Sequence, residues 1–111
     1  MAMLECYEPS RVAWRVLSRV ADAFMTVDED DAIAIMRRLA RPAAGDPAIV
    51  SGESGGVGLA GLVKLCGDRA LRQKLGLDAA ARVLVFNTEG ATDPKQYEAL
   101  VGLTPAHVLA R

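Results

Sequence analysis

Two polar segments of the sequence carry the residue types that could do chemistry. Residues 51–56, here called the first loop, combine two serines, one glutamate and three glycines. Residues 87–93, the second loop, combine an asparagine, two threonines and two acids. Each segment follows an apolar run typical of a buried strand, and ligands of α/β proteins bind beyond the carboxyl ends of such strands. We therefore expect a ligand site where the two loops meet.

Helical signals surround both loops. An apolar stripe at helical spacing follows Ser10 and predicts a helix that ends near Phe24. The apolar run 57–66, with Lys64 as its one charge, predicts a helix that is buried on every side. Further helices are expected after four residues that can accept a hydrogen bond at a helix start, which are Asp28, Asp68, Asp93 and Thr104.

Three apolar segments, 23–27, 48–50 and 82–86, are interpreted as strands, and the last has the strongest strand pattern. Strands that alternate with helices predict an α/β fold with a short, mostly parallel sheet and flanking helices. A chain of 111 residues supports a single hydrophobic core. Residues 1–111 are therefore expected to form one α/β segment.

Composition limits the classes of partner. The chain has 13 Lys and Arg against 14 Asp and Glu, so no basic surface for nucleic acid is expected. No apolar stretch approaches the roughly 20 residues of a membrane helix, and residues 1–6 lack the basic start of a signal peptide. Cys6 and Cys66 have no metal-binding or redox spacing. We expect a reduced, cytoplasmic protein without a metal site, a nucleic-acid partner or a membrane partner.

The balance of apolar and polar residues is unusual for a small chain. Hydrophobic residues make up 51% of the sequence, and the mean hydropathy is +0.19. A small domain has a large surface for its volume and should be more polar. This composition predicts apolar surface that another chain segment or partner covers.

Two motifs suggest other functions. Gly56, Gly58 and Gly61 fit the dinucleotide-binding fingerprint, with Glu89 as the acid that would bind a ribose. However, these glycines run into the helix itself, and the acid lies later than the usual spacing. Residues 52–56 fit a hydrolase nucleophile motif around Ser54, but its only candidate base, His107, lies close to the end of the chain.

Three further segments carry a resemblance to a known family. Residues 51–59 (SGESGGVGL), 71–78 (LRQKLGLD) and 88–94 (TEGATDP) resemble, in this order, motifs of diaminopropionate ammonia-lyases. These are pyridoxal-phosphate enzymes of fold type II, related to tryptophan synthase β chains. Residues 8–17 resemble the stretch that precedes these motifs, and residues 98–111 resemble the family's C-terminal end. The resemblance implies the C-terminal portion of such an enzyme, as part of its large domain.

The resemblance also implies which residues bind the cofactor. Thr88 is the implied partner of the pyridine nitrogen N1, with Asn87 as the nearest substitute. Glu53 resembles an acid of tryptophan synthase β chains, although a carboxylate near a helix start is an equally ordinary interpretation. The residues implied to line the other side of the ring are Ser51, Gly52, Glu53, Ser54 and Gly55.

The family's essential lysine has no counterpart here. Lys64, Lys74 and Lys95 do not match the motif of the lysine that forms the Schiff base with the cofactor, and the phosphate-binding loop is also absent. No catalytic residue is therefore assigned, and the chain is expected to be catalytically incomplete on its own. The intact family eliminates ammonia from 2,3-diaminopropionate, which leaves pyruvate.

The resemblance leaves the partners and two other functions open. The implied partners are the missing N-terminal part of the enzyme or, through an exposed sheet edge, a second copy of the chain, and intact family members are expected to be homodimers. One alternative is a non-catalytic truncated paralogue that acts as an interaction module. The other is an NAD-binding half-domain.

Overall fold

Helices make up the regular structure of the chain. The computed structural model describes residues 5–110, and within that range it contains helices and no β-strand. The helices are α1 Arg11–Val20, α2 Glu29–Ala40, α3 Val57–Gly67, α4 Arg69–Lys74, α5 Pro94–Val101 and α6 Pro105–Leu109. α2 packs against both α3 and α5. α4 packs on α3, and α6 packs on α5.

The predicted α/β class with a short parallel sheet is wrong. Segments 23–27, 48–50 and 82–86 do not pair as strands anywhere in the described residues. A strand needs a neighbouring backbone for its hydrogen bonds, and apolar composition alone does not supply one. Ile49 instead donates its N–H to the carbonyl of Leu39 at 2.9 Å, and the carbonyl of Val50 accepts from a side chain of the second loop.

Local capping signals predicted most helix starts correctly. Asp28 and Asp31 form a capping box at α2, in which each side chain accepts from the other's backbone N–H. Asp93 caps the start of α5 with Pro94 in the first turn, and Gly102 caps its C-terminal end with a positive φ of 75° that suits glycine. α1 begins after Ser10 as predicted but ends at Val20. Every residue of α1 is exposed, so no packing extends it further.

The hydrophobic core joins α2, α5 and α6. Its buried members are Met36, Ala40, Tyr97, Val101 and Val108. Arg37 of α2 and Arg41, the residue that caps its C-terminal end, reinforce this packing at the end of α5. Arg37 Nε donates to the carbonyl of Leu100 at 2.7 Å, and Arg41 Nη1 donates to that of Val101 at 2.9 Å. These carbonyls have no partner within α5, so α2 binds the negative end of α5.

Much apolar surface is uncovered. The α1 stripe of Trp14, Leu17 and Val20 is exposed, and the segment 82–86 is exposed at every residue. The prediction that α3 is buried on every side is also wrong, because Val63 and Cys66 are exposed and only Ala60 and Gly61 are buried. Among the described helices, α3 packs mainly against α2 and α4.

None of the helices within residues 5–110 has the length and apolarity needed to cross a membrane. The expectation about a signal peptide rests largely on residues 1–4, which lie outside the described residues. Arg111, the last residue of the segment 98–111 that resembles the family's C-terminal end, also lies outside them.

Tyr97 offers a test of the core. Its side chain is 2% exposed, and its hydroxyl has no hydrogen-bond partner among the described residues. Burial raises the pKa of Tyr97, although the charge of Arg41 opposes this. Since an unpaired buried hydroxyl costs about 1–3 kcal/mol, Tyr97→Phe is expected to increase the free energy of unfolding by about 1 kcal/mol, measured by urea denaturation.

Tyr7→Phe is the matched control, because Tyr7 is exposed and its hydroxyl binds Glu5 at the surface. It should change the free energy of unfolding by less than about 0.5 kcal/mol. A loss of stability in Tyr97→Phe would contradict the unpaired hydroxyl.

Candidate functional site

The two loops pack against each other. The first loop lies between Val50 and the start of α3, and the second lies between the exposed segment 82–86 and the start of α5. A backbone hydrogen bond joins them directly, from the N–H of Gly52 to the carbonyl of Glu89 at 2.9 Å. The predicted meeting of the loops is therefore present, although no sheet brings them together.

Asn87 anchors one end of the contact. Its Oδ1 accepts from the Ser51 hydroxyl at 3.1 Å, and its Nδ2 donates to the carbonyl of Val50 at 3.2 Å. Ser51 itself is fully buried, so its hydroxyl needs such a partner. Both ends of the Asn87 amide are thus used within the chain, and Asn87 acts as a structural anchor.

Glu89 anchors the other end. Its Oε2 accepts from both the backbone N–H of Ser54, at 3.1 Å, and the Ser54 hydroxyl. Its Oε1 accepts from the Thr92 hydroxyl at 2.7 Å. Burial by itself would raise the pKa of Glu89, but the hydrogen bonds from Ser54 and Thr92 outweigh it and hold this pKa below its ordinary value. The carboxylate is therefore kept ionised by the donors it joins.

The glycines of the first loop are required by this contact. A Cβ on Gly55 would overlap Asn87 Oδ1 and the carbonyl of Glu89. A Cβ on Gly52 would overlap the carbonyl of Gly90 and approach Glu89 Cδ to 2.8 Å. At both positions the second loop occupies the space that a side chain would need. That Gly52 and Gly55 also lie against a cofactor ring stays a prediction.

Glu53 lies on the side of the loops that faces α5. It is buried, and its Oε1 accepts a hydrogen bond from Gln96 Nε2. A cavity of about 140 Å³ lies beside this pair, and Gly52, Glu89 and Tyr97 also line it. Gln96 is a partner that sequence reasoning did not identify, because only the packing of α5 brings it to Glu53.

Thr88 differs from its two neighbours. It is exposed, and among residues 5–110 its hydroxyl has no hydrogen-bond partner. It does not line the cavity beside Glu53. The structure therefore joins the first loop to Asn87 and Glu89, the two residues that flank Thr88. The hydroxyl of Thr88 itself stays available to a ligand.

The three lysines of the chain are ion-paired or exposed. Lys64 Nζ forms ion pairs with Asp28 and Asp31, both at 2.8 Å. Hydrogen bonds to Asp28 and then to Asp31 raise the pKa of Lys64, which disfavours the neutral amine that a Schiff base needs. Lys74 and Lys95 are exposed, at the end of α4 and the start of α5.

The geometry does not support the two other motifs. Glu89, the ribose-binding acid of the dinucleotide fingerprint, is engaged by Ser54 and Thr92. Ser54, the candidate hydrolase nucleophile, donates to Glu89 rather than to a histidine. Asp93 caps α5, and His107 lies in α6.

Comparisons with known proteins place the chain beside one group of enzymes. No protein-family model matches the sequence. Diaminopropionate ammonia-lyase of Escherichia coli K12 is 41% identical over 104 residues, which are 91% of this chain and 26% of that protein. The chain thus spans about a quarter of the length of the curated relatives it matches.

Solved structures agree with the sequence comparison. The crystal structure of the E. coli enzyme in complex with D-serine has a TM-score of 0.82 and 41% identity over 91% of this chain and 27% of that one. The same enzyme in complex with an aminoacrylate–PLP azomethine reaction intermediate has a TM-score of 0.81 over the same shares. The predicted resemblance to a C-terminal part of diaminopropionate ammonia-lyase is confirmed, and nothing in these comparisons favours the paralogue or NAD-binding alternatives.

The glycine contacts lead to a pair of opposed predictions. Gly55→Ala is expected to lower the free energy of unfolding by about 1–3 kcal/mol, because the added methyl group overlaps the second loop. Gly58→Ala should raise it by up to about 1 kcal/mol, since alanine favours the helix and the new Cβ would meet Val85 at an ordinary 3.8 Å.

Thermal and urea denaturation of both variants measure this difference. Equal stability of the two variants would contradict the close approach of the loops at Gly55.

Proposed function

We propose that this chain forms the C-terminal part of a pyridoxal-phosphate-dependent diaminopropionate ammonia-lyase. The observation that carries the proposal is the similarity to the E. coli enzyme over 91% of the chain, in sequence and in structure together. In that enzyme a reaction intermediate is bound to the cofactor. The proposed reaction of the assembled enzyme is the elimination of ammonia from 2,3-diaminopropionate.

The residues present fit one wall of a cofactor site. The bound cofactor supplies an electron-withdrawing ring that stabilises charge developing on the substrate. Thr88 is the proposed partner of the ring nitrogen, and its support is an exposed hydroxyl without a hydrogen bond among the described residues. A neutral hydroxyl leaves that nitrogen unprotonated and so limits the electron withdrawal, which suits elimination better than transamination.

The first loop is proposed to form the rest of this wall. Ser51, Gly52, Ser54 and Gly55 are held against the second loop by the contacts of Asn87 and Glu89. Glu53 is held by Gln96. Asn87 is a poorer candidate than Thr88 for the ring nitrogen, because both of its amide groups already have partners.

The described residues do not fit covalent attachment of the cofactor. Lys64 is paired with two aspartates, while Lys74 is exposed at the end of α4 and Lys95 is exposed in the first turn of α5. The Schiff-base lysine must therefore come from the remainder of the enzyme. We propose that the isolated chain, residues 1–111 acting as one segment, does not catalyse the reaction.

The same remainder is the proposed partner for the uncovered apolar surface. The α1 stripe and the segment 82–86 are exposed, and three quarters of the relatives' length has no counterpart in the chain. The predicted sheet edge is not present in the described residues, so self-association by strand pairing has no structural support. A cytoplasmic location stays part of the proposal, supported by the unpaired thiols of Cys6 and Cys66. A homodimer of the assembled enzyme likewise remains proposed.

A reconstitution tests the proposed function. The part of the E. coli relative that the chain does not match would be produced separately and mixed with the chain, pyridoxal phosphate and 2,3-diaminopropionate. Release of ammonia and pyruvate is expected only from the mixture. Borohydride reduction and mass spectrometry should locate the cofactor on a lysine of the E. coli polypeptide, because the chain's own lysines lack the required setting.

A single fused polypeptide of the two parts is the second arrangement, in case the E. coli part does not fold alone. Absence of activity in both arrangements contradicts the proposal. Cofactor bound covalently to Lys64, Lys74 or Lys95 in the isolated chain would contradict its catalytic incompleteness.

The docking surface has its own test. Leu17→Asn is expected to weaken association of the chain with the E. coli part roughly 10- to 100-fold, since burying a leucine contributes about 1.5–3 kcal/mol. Arg19→Asn is the control, because Arg19 is an exposed residue of α1 that lies about 200° around the helix axis from Leu17. Sedimentation or calorimetry measures the association. Equal affinities of the two variants would show that the α1 stripe is not covered by this partner.

A further inference from the structure

We propose that Glu89 is a positioning residue that fixes the direction in which Thr88 presents its hydroxyl to the cofactor. This inference rests on the proposed function, in which Thr88 contacts the cofactor. It adds that Glu89, the next residue, positions Thr88. Glu89 would act through hydrogen bonds to the first loop, without touching the cofactor.

The contacts of Glu89 make it the strongest link between the loops. Its backbone carbonyl accepts from Gly52, its Oε2 accepts from the N–H and hydroxyl of Ser54, and its Oε1 accepts from Thr92. Hydrogen bonds to a charged acceptor are stronger than those between neutral groups. The Glu89 side chain therefore binds Ser54 of the first loop, and it also forms a hydrogen bond within the second loop to Thr92.

Thr88 lies between two anchored residues. Asn87 is tied to Ser51 and Val50, and Glu89 is tied to Ser54. The Cα atoms on either side of Thr88 are each about 3.8 Å away along the chain, so these anchors restrict its backbone closely. A hydrogen bond to a ring nitrogen tolerates only about half an ångström in donor–acceptor distance. Loss of the Glu89 side chain would leave the backbone hydrogen bond to Gly52 as the remaining tie to the first loop on that side of Thr88.

The same contacts occupy the charge of Glu89 with donors other than Thr88. The carboxylate faces Ser54 and Thr92, whose N–H and hydroxyl groups donate to it. A carboxylate beside the ring nitrogen would favour a proton there. The arrangement therefore offers the neutral hydroxyl of Thr88 to the nitrogen and keeps the neighbouring acid occupied.

Hydrogen exchange of the full chain without cofactor tests the anchor directly. In Glu89→Ala the amide of Ser54 and the amides of the second loop should exchange roughly tenfold faster or more, as expected for a locally opened segment. Glu89→Gln should be intermediate, because its amide still offers an acceptor to Ser54 and a donor to Thr92. The amides of α2 should be unchanged, which separates local opening from unfolding.

Glu98→Ala is the matched control, since Glu98 is an exposed acid of α5 with no side-chain contact among the described residues. Unchanged exchange at Ser54 in Glu89→Ala overturns the inference, whether or not the proposed function holds.

The reconstituted enzyme then tests the consequence for the cofactor. Glu89→Ala is expected to lower kcat by roughly tenfold or more with a smaller change in KM, and to shift the absorbance of the bound cofactor, because both depend on the ring-nitrogen contact. Glu89→Gln should recover most of the wild-type kcat and spectrum. Thr88→Val should change the spectrum in the same direction without faster exchange at Ser54.

The outcomes separate the two proposals. A wild-type spectrum and kcat in Glu89→Ala, with faster exchange, overturn the inference and leave the proposed function intact. A wild-type reconstitution that binds no cofactor overturns both, and the Glu89 contacts would then be structural only.

Discussion

The hydrogen bonds between the first and second loops are the interaction on which the site depends. The two loops lie 31 residues apart in sequence when measured from Gly56 to Asn87, and no sheet holds them side by side. Glu89 and Asn87 replace that missing framework with side-chain contacts to Ser54, Ser51 and the backbone. Close approach is possible only because Gly52 and Gly55 have no side chain at the points of contact.

The helical core determines where the second loop ends. Tyr97 and Val101 bury α5 against α2, and Arg37 and Arg41 bind the carbonyl end of α5. Asp93 caps the other end of α5 and is also the last residue of the second loop. The position of α5 therefore fixes the end of the second loop. Gln96 of α5 also binds Glu53 of the first loop.

The uncovered apolar surface and the incomplete site have one explanation. Trp14 and Leu17 of α1 are exposed, as are Leu84 and Phe86 before the second loop. The relatives that the chain matches are about four times as long. A segment that evolved against a larger body retains an apolar surface at the contacts and depends on that body for residues it lacks. In the proposed enzyme, that body supplies the lysine that binds the cofactor.

The sequence by itself determined the helix starts and the two polar loops that meet. Capping at Asp28, Asp93 and Thr104 involves residues only a few positions away, so short sequence windows contain the needed information. The loop motifs also predicted the resemblance to diaminopropionate ammonia-lyase that the comparisons confirm. Tertiary structure alone decided that the apolar runs 48–50 and 82–86 do not pair as strands, because pairing depends on distant backbone partners. It likewise decided that Asn87 and Glu89 are engaged while Thr88 is available, since hydrogen bonds between distant segments leave no local signal in the sequence.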